Sequence, residues 1–362
     1  MILWRGIMAK KIGVITINDF NNYGNRLQCY AVQRYLENMG YSVENIYNEY
    51  NPRGFMVNSG KRVIHQFRDF SNRKTIASRS QHFHEFNKHI NFSIDCIING
   101  EFSKDLNEKY DFFVTGSDQV WNPYDRGRSE IDFLTFATPE KRIAFSASMG
   151  VDKLPDNKIE KYRRYLKDYR SISVREETAK RIVEELTNRK DVEVLIDPTM
   201  LITNKEWETI SQKPDISYRS KYILVYFLGE IGERKSVIKN IADKHNCVII
   251  DVYDKNSTFY ACGPQHFLDL VKNAFLICTD SFHSVVFSFL FNRPFIVFER
   301  KNVKMNMNSR METFLSKFGL QQRRYISVCD VDAYLGWDYS EGYKTLDKER
   351  EKANCFLTEA LS

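Results

Sequence analysis

Ala274 to Phe298 reads AFLICTDSFHSVVFSFLFNRPFIVF, two apolar runs enclosing the polar cluster Thr279-Asp280-Ser281-Phe282-His283. The first run, Ala274 to Cys278, has the length and content of a buried strand, and the second, Phe295 to Phe298, follows the turn signal Asn-Arg-Pro. Between them Val285, Val286, Phe289 and Leu290 recur at helical spacing. The unit therefore reads as strand, short helix over 281–291, strand. Thr279 to His283 then lies where a parallel strand ends and a helix begins, the edge at which open α/β sheets bind ligands and helix amides favour anions. An N-cap at Asp280 or Ser281 and a packed first-turn histidine account for the same letters, so further features have to decide.

Working outward, the first half alternates in the same way. Strands are expected at Lys11–Ile17, Tyr41–Ile46, Asp111–Thr115, Arg142–Ala147, Ser171–Val174 and Val192–Ile196, with a helix over Asn25–Met39. A polar stretch, Ile202 to Ser220, separates these from a second series. That series is strand 222–228, helix 232–244, strand Cys247–Val252, helix 265–273 and the opening unit. The pattern predicts an α/β protein with two doubly wound, Rossmann-like domains facing across a ligand cleft. The expected division is 11–205 and 206–340, with a helical tail in 341–362 that packs back on the first domain. Residues 1–10 are expected to be an extension outside the fold.

With 362 residues, 43% hydrophobic and 28% charged, the chain is long enough for two cores and reads as soluble and globular. No apolar run is long enough for a membrane span and no secretion signal is visible, so the expected compartment is the cytoplasm. The seven cysteines are scattered and never spaced Cys-x-x-Cys, against both a disulfide framework and a zinc site. The net charge of +6 is uneven, for six Lys/Arg and one Asp fall between Lys61 and Ser80, within a basic helical insertion at 55–90. Val63, Ile64, Phe67 and Phe70 are interleaved at helical spacing. Two readings are open here, a peripheral contact with the anionic inner face of the cell membrane or a solvated insertion with one apolar face on the domain. Nucleic acid is disfavoured because no binding signature accompanies the patch.

Three more polar clusters follow predicted strands. Asp19 to Asn25 holds Asn22, Tyr23, Gly24 and Asn25, a turn able to cap or to approach a ligand, and it lacks the dinucleotide fingerprint. Gly116 to Asn122 places Ser117, Asp118, Gln119 and Trp121 together, a set suited to sugar hydroxyls and a ring face, or equally to a capped loop with a packed tryptophan. Ser173 to Glu177 carries Arg175, able to clamp a carboxylate or phosphate, or to pair with a neighbouring glutamate on the surface.

The ordered motifs N-x-Y-G-N-x-L-Q-x-Y-A-x-Q (21–33), G-S-D-Q-V-W-N (116–122), S-V-R-E-E (173–177), D-P-T (197–199) and T-D-S-F-H (279–283) resemble the polysaccharide pyruvyl transferase family, from about Lys11 to Phe318. The resemblance implies a fold similar to type B glycosyltransferases. It also implies transfer of a pyruvyl group from phosphoenolpyruvate to a sugar as a cyclic ketal, with no cofactor, metal or nucleotide. The acceptor it suggests is a galactose-like residue on a lipid-diphosphate-linked or polymeric surface-polysaccharide intermediate.

Carried onto this sequence, the resemblance makes Arg175 a donor ligand and His283 the catalytic-site histidine. Many members have arginine where this chain has Ser281, and Arg310 is the candidate replacement. Asp280, Ser281 and Phe282 complete the expected donor site. His283 is the expected general acid or phosphate partner and Asp118 the expected base, with Asp280 its rival. Asn22, Tyr23, Asn25, Ser117, Gln119 and Trp121 are the expected acceptor residues. Two alternatives stand beside this reading, a type B glycosyltransferase using a nucleotide sugar and a catalytically inactive sugar-binding relative.

Overall fold

A computed structural model describes residues 9–19, 21–49, 72–124, 130–218, 221–300, 309–325, 331–336 and 338–362. Residues 1–8 and 51–71, with most of the basic stretch, lie outside the described residues. Two parallel sheets carry the fold. The first comprises β1 (Lys11–Ile15), β2 (Ser42–Glu49), β3 (Phe92–Ile98), β4 (Phe112–Gly116), β5 (Arg142–Ala147), β6 (Ser171–Val174) and β7 (Glu193–Val194), in the order β3-β2-β1-β4-β5-β6-β7. The second comprises β8 (Tyr222–Tyr226), β9 (Val248–Asp251), β10 (Leu276–Thr279) and β11 (Phe295–Val297), in the order β11-β10-β8-β9. Central strands such as β4 and β8 are buried at every residue, which is why they read as unbroken apolar runs. β3 escaped the sequence reading because it is the outermost strand and buries only Ile97.

The helices between strands are α1 (Tyr23–Asn38), α2 (Arg73–Phe86), α3 (Ile159–Leu166), α4 (Glu177–Thr187), α5 (Asn204–Ile210), α6 (Arg234–Lys244), α7 (Pro264–Asn273) and α8 (Phe282–Leu290). After β11 come α9 (Ser309–Lys317) and the terminal α10 (Ser340–Ala360). No described helix is long and apolar enough to cross a membrane.

The stretch taken as a polar boundary contains α5, and the expected division at 205/206 falls inside it. Thr203 caps this helix through a reciprocal pair with Glu206, and Trp207 is fully buried between Tyr30 and Phe287, with its indole N–H donating to the Thr199 carbonyl at 3.0 Å. Two apolar residues in a seven-residue helix give too weak a period to read from sequence. α10 spans both lobes: Tyr343 donates to the Phe289 carbonyl at 2.8 Å and Arg350 Nε to the Met200 carbonyl at 2.8 Å.

The lobes meet across an aromatic seam. Tyr23, at the start of α1, stacks on Phe267 of α7 with centroids 4.7 Å apart and donates to the Cys262 carbonyl at 2.9 Å. Arg79 of α2 is buried there too, bonding the Tyr23 hydroxyl and the Tyr260 and Cys262 carbonyls. Two expectations change as a result. Tyr23 has no exposed surface to offer an acceptor, and Arg79, one of the six basic residues counted for a membrane face, is spent inside the protein.

Candidate functional site

The C-terminal ends of β4, β6 and β7 in the first lobe meet the end of β10 in the second, and their polar residues converge. Asp118, just past β4, has φ of 62°, a left-handed conformation uncommon outside glycine and typical of residues held for a purpose. Its carboxylate accepts from the Gln119 amide at 2.8 Å and from Asn25 Nδ2 of α1. Arg175, just past β6, lies with Nη2 3.7 Å from Asp118 and Nη1 on Asp197. Arg310, in the first turn of α9, approaches the same Asp118 oxygen at 3.8 Å. Phe282 lies beneath both cations, 4.6 Å from the Arg175 guanidinium and 5.8 Å from that of Arg310.

Asp197 organises the floor. One carboxylate oxygen accepts the Thr199 amide at 3.0 Å and hydroxyl at 2.7 Å, while the other accepts Ser117 Oγ at 2.8 Å and the Arg175 guanidinium. His283 Nε2 lies 3.6 Å from that second oxygen. On its other side the imidazole presses against Gly24, where a Cβ would collide with Nδ1. The glycine of the first motif is thus required by close approach of this ring.

The electrostatics follow from burial and mutual pairing. Burial alone would raise the Asp197 carboxyl, but Arg175, the nearby His283 and the Thr199 hydroxyl outweigh it and hold it well below the usual carboxylate range. Asp118 is lowered in the same way, as His283, Arg175 and Arg310 together exceed the effect of burial. Arg175 is raised, the attraction of Asp197 and Asp118 overcoming burial. Arg310 moves the other way. Burial, then repulsion from Arg175, lowers it to about 10 despite Asp118.

Several buried donors here have no hydrogen-bond partner: Arg175 Nε and Nη2, Arg310 Nε, His283 Nε2 and Ser309 Oγ. Buried polar groups are normally satisfied, so the open donors of Arg175 and Arg310 beside His283 leave hydrogen-bonding capacity at this centre for a further group.

Not every expected residue joins this centre. Trp121 is a core residue: it has no exposed surface, stacks on Phe133 with ring planes 2° apart and donates its N–H to the Asp132 carbonyl at 3.1 Å, so its face is closed to a sugar. Asp280 is also diverted, because its carboxylate accepts the Leu228 amide at 2.7 Å and the Gly229 amide at 2.9 Å and lies 3.4 Å from Arg300. A carboxylate so engaged ties the loop after β8 to the loop after β10. Asn22 serves as the α1 N-cap, bonding the Asn25 amide, and Ser117 is committed to Asp197. Gln119 is buried with Nε2 unpaired, packed under Gly150, whose φ is +62°. Ser281 is the α8 N-cap position, with its amide on Thr199's counterpart in this lobe, the Thr279 hydroxyl, at 3.0 Å. Gly24 was read as permitting a turn or close approach to a ligand, where it admits the His283 ring instead, and Asp197 stood in a motif without a role. Their partners come from other strands, which local sequence does not reveal.

Fold and site together define a two-lobed, Rossmann-like α/β protein with a glycosyltransferase type B-like fold and a buried, charged centre between the lobes. The match to polysaccharide pyruvyl transferase over residues 22–302 covers most of the chain, and the protein belongs to that family. No curated protein matches the sequence. Among solved structures, the UDP-GlcNAc 2-epimerase from Methanocaldococcus jannaschii is similar at 13% identity and a TM-score of 0.53, over 96% of this chain and 99% of that one. A putative UDP-N-acetylglucosamine 2-epimerase from Listeria monocytogenes is similar at 11% identity and a TM-score of 0.50, over 95% of this chain and 91% of that one. At such identities the likeness concerns the fold alone.

Proposed function

We propose that the protein transfers the pyruvyl group of phosphoenolpyruvate to two hydroxyls of one sugar residue, forming a cyclic ketal. The observation that carries this reading is the set of unpaired buried donors on Arg175, Arg310, His283 and Ser309 around Phe282. Phosphoenolpyruvate brings a phosphate and a carboxylate, and two guanidiniums approaching from opposite lobes suit that pair of anions. In this reading Arg310 takes the place of the arginine that the family carries where this chain has Ser281.

His283 protonates the methylene carbon, leaving an oxocarbenium-like centre at the carbon that bears phosphate. A sugar hydroxyl adds there and gives its proton to Asp118. The carbon–oxygen bond to phosphate then breaks, phosphate leaves with the electron pair, and a second hydroxyl of the same sugar closes the ring. Of the two hydroxyl protons, one replaces that given to the methyl carbon and the other departs with phosphate. Asp118 is a weak base while both arginines face it. As the donor's oxygens take up those cations, its basicity rises toward that of an ordinary carboxylate. Asn25, bonded to Asp118, and Gln119, with its free amide, are the acceptor-side residues that the geometry favours. The acceptor is a galactose-like residue on a surface-polysaccharide intermediate, and the reaction belongs in the cytoplasm at the inner face of the membrane.

Calorimetric titration with phosphoenolpyruvate, against a panel of nucleotide sugars, tests the donor. Saturable binding is expected for phosphoenolpyruvate and is lost in Arg175→Ala. Binding of a nucleotide sugar alone would move the protein to ordinary glycosyl transfer.

A further inference from the structure

The second lobe holds a cavity that the anion centre does not use. It measures about 490 Å³ and lies along β8, α6 and the outer strand β9, lined by Phe227, Ile231, Lys235, Ile249, Asp251 and Tyr253. That volume suits a small molecule of one or two rings. Among the described residues β9 ends its sheet and no strand covers its outer side, and Ile249 and Tyr253 remain 42% and 43% exposed. Large apolar side chains left open beside carboxylates form a surface that a ring with one apolar face and one hydroxylated edge would cover.

Asp251 is the last paired residue of β9, opposite Val225 of β8. It therefore stands at the C-terminal edge of the sheet, the edge at which α/β sheets present acids to hydroxyl pairs. One of its oxygens accepts the Tyr253 amide at 2.8 Å and the Asp254 amide at 3.0 Å. The turn is thereby fixed by that oxygen, and the second is the one able to meet a hydroxyl. Asp254 also lines the cavity, and the neighbouring loop carries Glu230 and Glu233. Among the residues lining the cavity Asp251 and Asp254 face one cation, Lys235, while Arg234 and Lys255 stand beside the acids in sequence, so the local field is only weakly negative and suits a neutral polyol.

The cavity adjoins the anion centre through one loop. Leu228 and Gly229, just past β8, donate their amides to Asp280, three residues before His283, and Gly229 also lines the cavity.

We propose that this cavity binds a neutral ring bearing a vicinal diol, with Asp251 accepting from the hydroxyl pair and Tyr253 covering the ring's apolar face. Its occupant, a sugar residue of the acceptor, is named on the strength of the transferase reading, while the site itself rests on the cavity and its lining. A nucleoside's ribose has the same diol chemistry, and the experiment separates the two.

The full chain is titrated with methyl galactoside and, separately, with uridine, using ligand-observed saturation-transfer NMR, for wild type, Asp251→Asn and Tyr253→Ala. Asparagine at 251 keeps an acceptor for the turn amides, and Tyr253 is exposed enough that its loss leaves the fold intact, which thermal unfolding checks. Saturable galactoside binding is expected, weakened about 10-fold or more in Asp251→Asn by loss of a hydrogen bond to a charged group and several-fold, about 3-fold or more, in Tyr253→Ala by loss of the covering ring. Uridine binding that is lost in the same variants upholds the site and makes the occupant a nucleoside. Binding of neither probe, or binding unchanged in both variants, would falsify the proposal. Arg175→Ala and a phosphoenolpyruvate titration run alongside: diol binding that survives when donor binding is absent separates failure of the transferase reading from failure of this site.

Discussion

Arg79 and Arg175 are both buried guanidiniums at the junction of the lobes, 1% and 3% exposed, yet their surroundings differ in kind. Arg79 has neutral oxygens on both terminal nitrogens: the Tyr23 hydroxyl at 2.6 Å, the Tyr260 carbonyl at 2.9 Å and the Asn21 carbonyl at 2.9 Å. The rings of Tyr23, Phe83 and Tyr260 pack on its plane at 4.6 to 4.7 Å. Both arginines leave Nε without a hydrogen-bond partner, but Arg175 spends one terminal nitrogen on Asp197 and Ser117 and has for the other only Asp118 at 3.7 Å. A guanidinium whose terminal nitrogens are both satisfied has finished its work when the chain folds, whereas one with a terminal nitrogen open beside a second cation keeps a donor for a ligand. The same contrast separates two histidines. His82 Nδ1 meets the Ala261 carbonyl at 2.7 Å and its ring abuts His266, while His283 Nε2 makes no hydrogen bond and has only Asp197 nearby, at 3.6 Å.

The histidines give the largest expected effect. His283→Ala should lower turnover by about 10²- to 10⁴-fold, the usual loss for a general acid. His82→Ala should leave turnover within roughly 3-fold of wild type, since a group that touches no reacting atom contributes no proton transfer. Steady-state rates with phosphoenolpyruvate and a sugar acceptor read both. Near-normal turnover in His283→Ala would remove it from the mechanism.

A matched pair of Arg→Lys substitutions comes next. Lysine keeps the charge but loses the planar fork. Arg175→Lys still faces Asp197, so its thermal stability should stay near that of wild type, while donor affinity falls by about 30-fold from loss of one to two charge-assisted hydrogen bonds. Arg79→Lys should do the reverse, costing about 2–3 kcal/mol of stability as most of its four carbonyl and hydroxyl partners lose their donors, with donor affinity unchanged. Thermal unfolding with and without phosphoenolpyruvate measures both quantities at once. If both variants lose stability and keep affinity, the two arginines are alike and the contrast collapses.

Much of this contrast was half visible in the sequence. Buried parallel strands announce themselves as apolar runs, so β5, Arg142–Ala147, and β6, Ser171–Val174, were read with the bounds they have. Polar residues at strand ends, such as Asp118, Arg175 and His283, stood out because burial does not call for them. What sequence could not supply was partnership across the lobes. Arg79 sits in a basic helix whose other charges suggested a surface, and only the approach of Tyr260 and Cys262 from the second lobe turns it inward. Trp121 shows the converse error, since an aromatic in a polar loop has the same letters whether its face meets a sugar or Phe133. Asp197 was quoted in a motif and given no role, because Ser117 and Arg175 reach it from strands far away in sequence.

The smallest effect makes the sharpest test, and it concerns Arg310. Burial and the nearby Arg175 lower it to about 10, so the folded protein holds this charge at a cost that Asp118 only partly offsets. A cation whose folded pKa lies below its unfolded value destabilises the fold at every pH where it stays protonated, including neutrality. Replacing it with an apolar side chain of similar length should therefore leave the ligand-free protein as stable or raise its stability by up to about 1 kcal/mol, as removal of a poorly compensated buried charge often does. The same Arg310→Met change should abolish most of the stabilisation that saturating phosphoenolpyruvate gives wild type, because the anion's second cation is gone. Thermal unfolding near pH 7 with and without the donor reads both signs in one experiment. A variant that is less stable alone and still gains fully from the donor would place Arg310 with Arg79, as a strut of the fold, and would leave Arg175 and His283 to hold the anion by themselves.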